Sequence, residues 1–128
     1  MSERITVSSG STFEEQFGYS RAVRKGNVVK VSGTAALRDG EVVAPGDPYE
    51  QTKYILEVIE DALHEADASI DDVVQSRVYV TDFSDWEEIG RAHREVFGDV
   101  KPANTMVEIS GLPKEELLLE IEVEAVVA

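Results

Sequence analysis

The chain has 128 residues, room for one domain built round a single core. Apolar residues make up 42% and charged residues 30%, with 4 prolines and 9 glycines in scattered positions, which excludes a disordered, collagenous or low-complexity chain. The 26 acidic residues against 12 basic ones leave a net charge of −14, a field that repels phosphate backbones and anionic membrane surfaces, so neither nucleic acid nor a membrane is expected as a partner.

At the N-terminus, Met1-Ser2-Glu3-Arg4 lacks the basic and apolar regions of a secretory leader. No apolar run reaches the ~20 residues that a bilayer requires, and the chain reads as cytoplasmic. An extended lead, Ile5 to Ser8, is followed by a polar stretch. Residues 21 to 25 and 27 to 32 are predicted as two strands joined at Gly26-Asn27. A second turn signal stands at Asp39-Gly40. Pro45-Gly46-Asp47-Pro48 then opens a helix with Asp47 as N-cap, Pro48 in its first turn and Glu50 completing a capping box. Its apolar stripe is Ile55, Leu56, Ile59, Ala62, Leu63 and Ala66, and it ends near Asp67.

Residues 73 to 81 alternate and are rich in β-branched side chains, predicting a strand. A second helix follows, with Ser84 as its cap, Glu87 closing the box, Gly98 as its stop, and Trp86, Ile89, His93, Val96 and Phe97 as its buried stripe. Two strands finish the chain, from about Thr105 to Ser110 and from Leu118 to Val127. This order predicts an α+β fold in which two helices cover one face of a mixed sheet.

The other sheet face is the informative one. In the last strand Leu119, Ile121, Val123, Ala125 and Val127 point toward the helices, and Glu120, Glu122 and Glu124 point away. In the middle strand Val74, Ser76, Val78 and Val80 take the helix side and leave Arg77 and Tyr79 opposite, with Lys30 and Glu108 also on the polar face. Such a face is either wet or buried between subunits, and burial makes basic partners such as Arg77 and Lys30 necessary. The acidity itself has two readings, a solvated surface that keeps the protein soluble, or adaptation to high ionic strength, where repulsion among carboxylates is screened.

The inventory of reactive groups is short. No cysteine is present, which removes disulfides, thiolate nucleophiles, cysteine zinc sites and iron–sulfur clusters. There is no phosphate-binding glycine loop, dinucleotide fingerprint or serine-hydrolase elbow. Glu60 and His64 stand one helical turn apart, but two ligands fall short of a metal site, and no metal is expected. His93 lies on an apolar stripe, where a structural histidine is the plain reading and a site residue the sharper one.

Five blocks stand in order along the chain: Tyr19-Ser20-Arg21-Ala22-Val23, Asn27-Val28-Val29-Lys30-Val31-Ser32-Gly33, the run from Asp72 to Asp82, Pro102-Ala103-Asn104-Thr105-Met106-Val107-Glu108-Ile109, and Leu119-Glu120-Ile121-Glu122. Together they resemble the Rid family, also called YjgF-type proteins or reactive intermediate deaminases, over almost the whole chain. The resemblance implies a chorismate-mutase-like α+β fold assembled as a homotrimer, with the sheets lining a central barrel and ligand clefts between neighbouring subunits. It also implies hydrolysis of reactive imines or enamines to oxo compounds and ammonia without metal or organic cofactor.

By the same resemblance Glu120 is the water-handling glutamate, Tyr19 the family tyrosine, and Ser32-Gly33 the serine-glycine turn of the cleft. Glu120 has a second reading as an ion-pair member in the trimer core with Arg77 or Lys30. The family's carboxylate-gripping arginine is replaced by Asn104, and a frequent cysteine by Met106. An amide in place of the two-pronged guanidinium forfeits about 2 kcal/mol, or roughly thirtyfold in binding a carboxylate. This branch is therefore expected to act on an imine or enamine other than the usual 2-imino acids, with Asn104, Arg21, Arg91 and His93 as further substrate-binding candidates. The alternative is a trimer that binds a small ligand without turnover. Endoribonuclease activity, attached to some relatives, fits the negative charge least.

Overall fold

The computed structural model describes residues 3–128; Met1 and Ser2, the head of the stretch inspected for a leader, lie outside the described residues. Among the described residues eight strands form: β1 (Arg4–Val7), β2 (Ala22–Lys25), β3 (Val28–Ala35), β4 (Leu37–Arg38), β5 (Glu41–Val42), β6 (Val73–Val80), β7 (Ala103–Glu108) and β8 (Leu119–Val126). The helices are α1 (Thr12–Phe17), α2 (Pro48–Glu65) and α3 (Trp86–Phe97). Six strands make one sheet in the order β1-β2-β3-β8-β6-β7, antiparallel throughout except for the parallel pair β6 and β7. β4 and β5 are a separate hairpin, turning at Asp39 and Gly40 with positive φ, as the Asp-Gly pair predicts. The α+β architecture with two long helices on one sheet face is the one the sequence predicts.

The alternation in β8 places Leu119, Ile121, Val123 and Ala125 in the core, where they meet Ile55, Leu56, Ile59 and Leu63 of α2 and Ile89 and Phe97 of α3. Every member of the predicted α2 stripe is buried. The Asp47 carboxylate accepts the Glu50 amide at 3.0 Å, but the Asp47 amide bonds Ala44 O, so only half of the predicted box forms. At the other end Arg24 donates to the carbonyls of Ala66 and Asp67, covering acceptors the helix leaves free. Buried Gln51 ties α2 to the start of β8 through the Leu118 amide and Glu116 carbonyl.

Five details depart from the sequence reading. The polar stretch before β2 contains α1, which Ser11 caps by accepting from the Phe13 amide and Gly18 closes at φ 75°. In β6 a bulge between Val73 and Gln75 turns Val74 outward, leaving it 50% exposed, and Val73 takes the core position instead. The cap before α3 is Asp82, which accepts from the amide and hydroxyl of Ser84 and starts a short 3₁₀ turn, Phe83–Asp85. That extra turn moves the start of α3, so Trp86 is 52% exposed rather than part of the buried stripe. Glu108 pairs with Val80 and hence lies on the helix side, where it accepts from the Phe83 amide at 2.8 Å.

Candidate active site

A cleft of about 750 Å³ opens between β3, β8, α2 and the segment leading into α1. Four predicted site residues line it: Tyr19, Arg21, Gly33 and Glu120. Their meeting depends on an irregularity in β3, whose register against β8 shifts between Val31 and Thr34 and sets Gly33 within the shift. Glu120, opposite Ala35 on β3 and Tyr79 on β6, lays its carboxyl against Gly33. A Cβ at position 33 would stand 2.8 Å from Glu120 Oε1 and 3.0 Å from its Cδ, so the glycine is there for close approach. Burial, reinforced by the neighbouring Glu122 charge and opposed by Arg21, pushes the Glu120 carboxyl above the usual carboxylate range.

Beside this pair lies a buried ion pair that the sequence reading did not single out. Arg21 Nε stands 3.3 Å from Glu14 Oε2, and both residues are buried. Arg21 Nη1 donates to Gly33 O at 2.8 Å and to Thr34 Oγ1 at 3.0 Å. The Glu14 carboxylate also accepts from the Ser9 amide and from the hydroxyls of Ser8 and Ser9. Burial alone would raise Glu14, yet these hydrogen bonds and the Arg21 charge hold it below the ordinary carboxylate value. Arg21 is thus engaged with the protein's own wall, its guanidinium carbon 5.7 Å from the Tyr19 ring. Ser32 donates to Ser20 O at 2.7 Å and so fixes the Tyr19-Ser20 turn. The signal for Glu14 was present in the sequence as Ser11-x-x-Glu14, a helix-start pattern ahead of Gly18.

The remaining candidates lie elsewhere in the chain. Asn104, on the edge strand β7, pairs with Ser76 on the helix-covered side of the sheet, whereas Glu120 is on the opposite face. Asn104 Nδ2 donates to Ser76 Oγ at 2.9 Å, and that hydroxyl lies 2.8 Å from His93 Nε2. The Ser76 hydroxyl can accept from Asn104 and still either donate to or accept from His93, according to the imidazole tautomer. Burial lowers the His93 pKa and so favours the neutral imidazole. Arg91 is further out, with its guanidinium carbon 3.9 Å from the centre of the Tyr49 ring on α2. A single chain therefore assembles Tyr19, Arg21, Gly33 and Glu120, with Ser32 bracing them, and holds Asn104, His93 and Arg91 apart.

On the polar sheet face Arg77 Nη1 stands 2.7 Å from Glu124 and 4.0 Å from Glu122, Lys30 lies 3.5 Å from Glu124, and Tyr79 donates to Glu122. These pairs take up the basic residues the sequence reading offered to the acidic row. Within one chain Glu120 is not among their partners. Among the described residues no group of three or more His, Asp or Glu side chains could hold a metal ion. Nor is any described helix long and apolar enough to cross a membrane.

An α+β sheet with a glutamate seated on a serine-glycine bulge defines the class, and comparison with known proteins agrees. The family model described as Endoribonuclease L-PSP matches residues 10–127. The chain belongs to this family, the Rid or YjgF-type proteins. It is 40% identical over 119 residues to the Streptomyces coelicolor protein SCO2049, covering 93% of this chain and 89% of that one. It is 35% identical over 104 residues to the 3-aminoacrylate deaminase RutC of Acinetobacter baylyi, covering 80% and 82% of the two chains. The crystal structure of Rv2704 from Mycobacterium tuberculosis, a member of the YjgF/YER057c/UK114 family, superposes with a TM-score of 0.89 at 46% identity, covering 98% of this chain and 100% of that one.

Proposed function

We propose that the protein is a cytoplasmic homotrimer that hydrolyses a reactive imine or enamine, other than the usual 2-imino acids, in clefts at the seams between copies. The observation that carries this reading is the half-buried Glu120 carboxyl held against Gly33 in the cleft beside Tyr19. An enamine first tautomerises to its imine, gaining a proton at carbon and losing one from nitrogen. Water then adds to the imine carbon while Glu120 takes one of its protons. The same carboxyl returns that proton to nitrogen, and the carbinolamine collapses to a carbonyl group and ammonia. A carboxyl raised by burial suits both halves of this exchange, since it binds and releases a proton nearer neutral pH. The deaminase activity in the RutC relative's name supports the reaction class.

In this reading Glu120 and Tyr19 act on the substrate and Gly33 opens the space for it. Ser32 and Arg21 build the wall, and Asn104, His93 and Arg91 reach a ligand only from a neighbouring copy. A half-exposed face carrying Glu122, Glu124, Arg77 and Lys30 supports burial between copies, because its charges are already paired. Sedimentation should give about three times the chain mass, and a particle of 14.1 kDa at working concentration would overturn the trimer.

A second reading, a trimer that binds a small ligand without turnover, is favoured by one observation: the Asn104 amide is occupied by Ser76. An ammonia-release assay on freshly generated imines, with and without a carboxylate, separates the two. The deaminase reading expects release from carboxylate-free imines by the native protein and its loss in Glu120→Ala. No release from any imine by the native protein, with activity gained on 2-imino acids in Asn104→Arg, establishes the binding module instead. Ribonuclease activity, named in the family description, is disfavoured by the charge of −14.

A further inference from the structure

We propose that Glu14, acting through Arg21, is a positioning residue that sets how readily the Glu120 carboxyl ionises. The proposal rests on the reading of Glu120 as the proton-handling group and adds the device that tunes it. Its basis is a continuous chain of contacts. Glu14 Oε2 is 3.3 Å from Arg21 Nε, Arg21 Nη1 is 2.8 Å from Gly33 O, and the Glu120 carboxyl packs against Gly33 itself.

The arrangement is a balance of charges in a poorly solvated wall. Arg21 is 7% exposed and Glu14 5%, so neither charge is screened well by water. Left alone, the Arg21 cation would draw Glu120 into its ionised form. The Glu14 carboxylate, 3.3 Å from Arg21 Nε, opposes that field, and burial together with the Glu122 charge leaves Glu120 a carboxyl that holds its proton more tightly than a solvated one, even with Arg21 lowering it. The other groups facing Glu120 do not substitute for this pair. On its own strand there is Glu122, whose charge adds to the effect, and on β6 Tyr79, which is spent on Glu122. β3 presents only Gly33 and Ala35. The same cleft also carries Tyr19, Arg38, Asp39, Asp61 and Glu65, of which Arg38 leans on the Tyr54 ring and Tyr19 lies beside Arg21.

The experiment is a carboxyl-carbon NMR titration of the full chain labelled at glutamate, with the Glu120 signal assigned by its absence in Glu120→Gln. It reads Glu120 whether or not the protein turns over any substrate, so failure of the deaminase reading leaves it interpretable. Glu14→Gln unmasks Arg21 and is expected to lower the Glu120 midpoint by about half a pH unit or more. The double variant Glu14→Gln with Arg21→Met removes both charges, of which Arg21 is the nearer, and is expected to raise the midpoint above native. A merely structural role predicts something else, since loosening the wall admits water and lowers the midpoint in both variants. Opposite shifts support the proposal. Shifts of the same sign, or none, overturn it. Should Glu14→Gln fail to fold, the double variant, in which uncharged side chains replace a buried ion pair with little penalty, is set against Arg21→Met, which keeps the Glu14 charge; a midpoint lower in the double variant than in Arg21→Met supports the proposal, and an equal or higher one overturns it.

Discussion

The carboxyl of Glu120 lies so close to the α-carbon of Gly33 that a single methyl group there would stand 2.8 Å from Oε1. This contact joins two of the five blocks that carry the family resemblance, one in β3 and one in β8, and explains why the first ends in glycine. The obstacle is the far end of a flexible side chain, so Gly33→Ala is expected to fold, at a cost of about 1–3 kcal/mol. It should displace the carboxyl into the cleft and reduce imine turnover at least tenfold. Thermal unfolding and the ammonia assay read the two effects separately, and full activity in Gly33→Ala would mean that the contact plays no part.

Glu120→Gln is expected to lower turnover by about 10² to 10⁴, the usual worth of a general base. Its effect on stability has the opposite sign. The folded carboxyl is raised above its ordinary value of 4.5, so the stability it contributes is full below that pH and is lost as pH rises through the folded value. At neutral pH the native protein carries a desolvated charge that the amide lacks, and Glu120→Gln should melt higher there. A lower melting temperature at pH 7 would contradict this.

His93 acts in the acid range. Its pKa is lowered on folding from 6.5 because burial disfavours the imidazolium, so the unfolded chain binds more protons between the two values. Its contribution is full above about pH 6.5 and declines as pH falls toward the folded value. Urea unfolding across this range should show the loss in the native protein and a flatter profile in His93→Gln.

Arg77 offers a measure of how wet the polar face is. If the face is open to water, Arg77→Met breaks surface pairs with Glu124 and Glu122 worth less than about 1 kcal/mol. If copies bury it, the same change strands buried carboxylates and costs about 3–5 kcal/mol. The trimer reading expects the larger value, together with dissociation in sedimentation, and a small value would count against it.

Salt should stabilise the protein. With a net charge of −14, raising the salt from millimolar to molar screens repulsion among carboxylates, and the melting temperature is expected to climb. A melting temperature indifferent to salt would remove the high-salt reading of the composition and leave plain solubility.

Much of the architecture was legible because it rests on local signals. The alternation of β8, the stripe of α2 and the Asp-Gly hairpin turn each satisfy a rule of period or punctuation, and burial then follows them. The departures share a cause. The bulge that turns Val74 outward and the three-residue turn that exposes Trp86 are short local adjustments, invisible to a periodic reading. α1 was hidden for a different reason: six residues carry too little apolar pattern, although its cap residues were in view.

The site divides in the same way. Read alone, the chain determined which residue types were available, that Glu120 leaves the core face of its strand, and that Asn104 offers an amide and no charge. Only the tertiary structure decided that Glu120 meets Gly33 while Arg77 and Lys30 are spent on its neighbours, that Arg21 is held by Glu14, and that Asn104 turns to Ser76 and His93. Those choices depend on distances between residues far apart in the chain, and such distances are set by register, bulges and competition for hydrogen-bond partners rather than by any local preference.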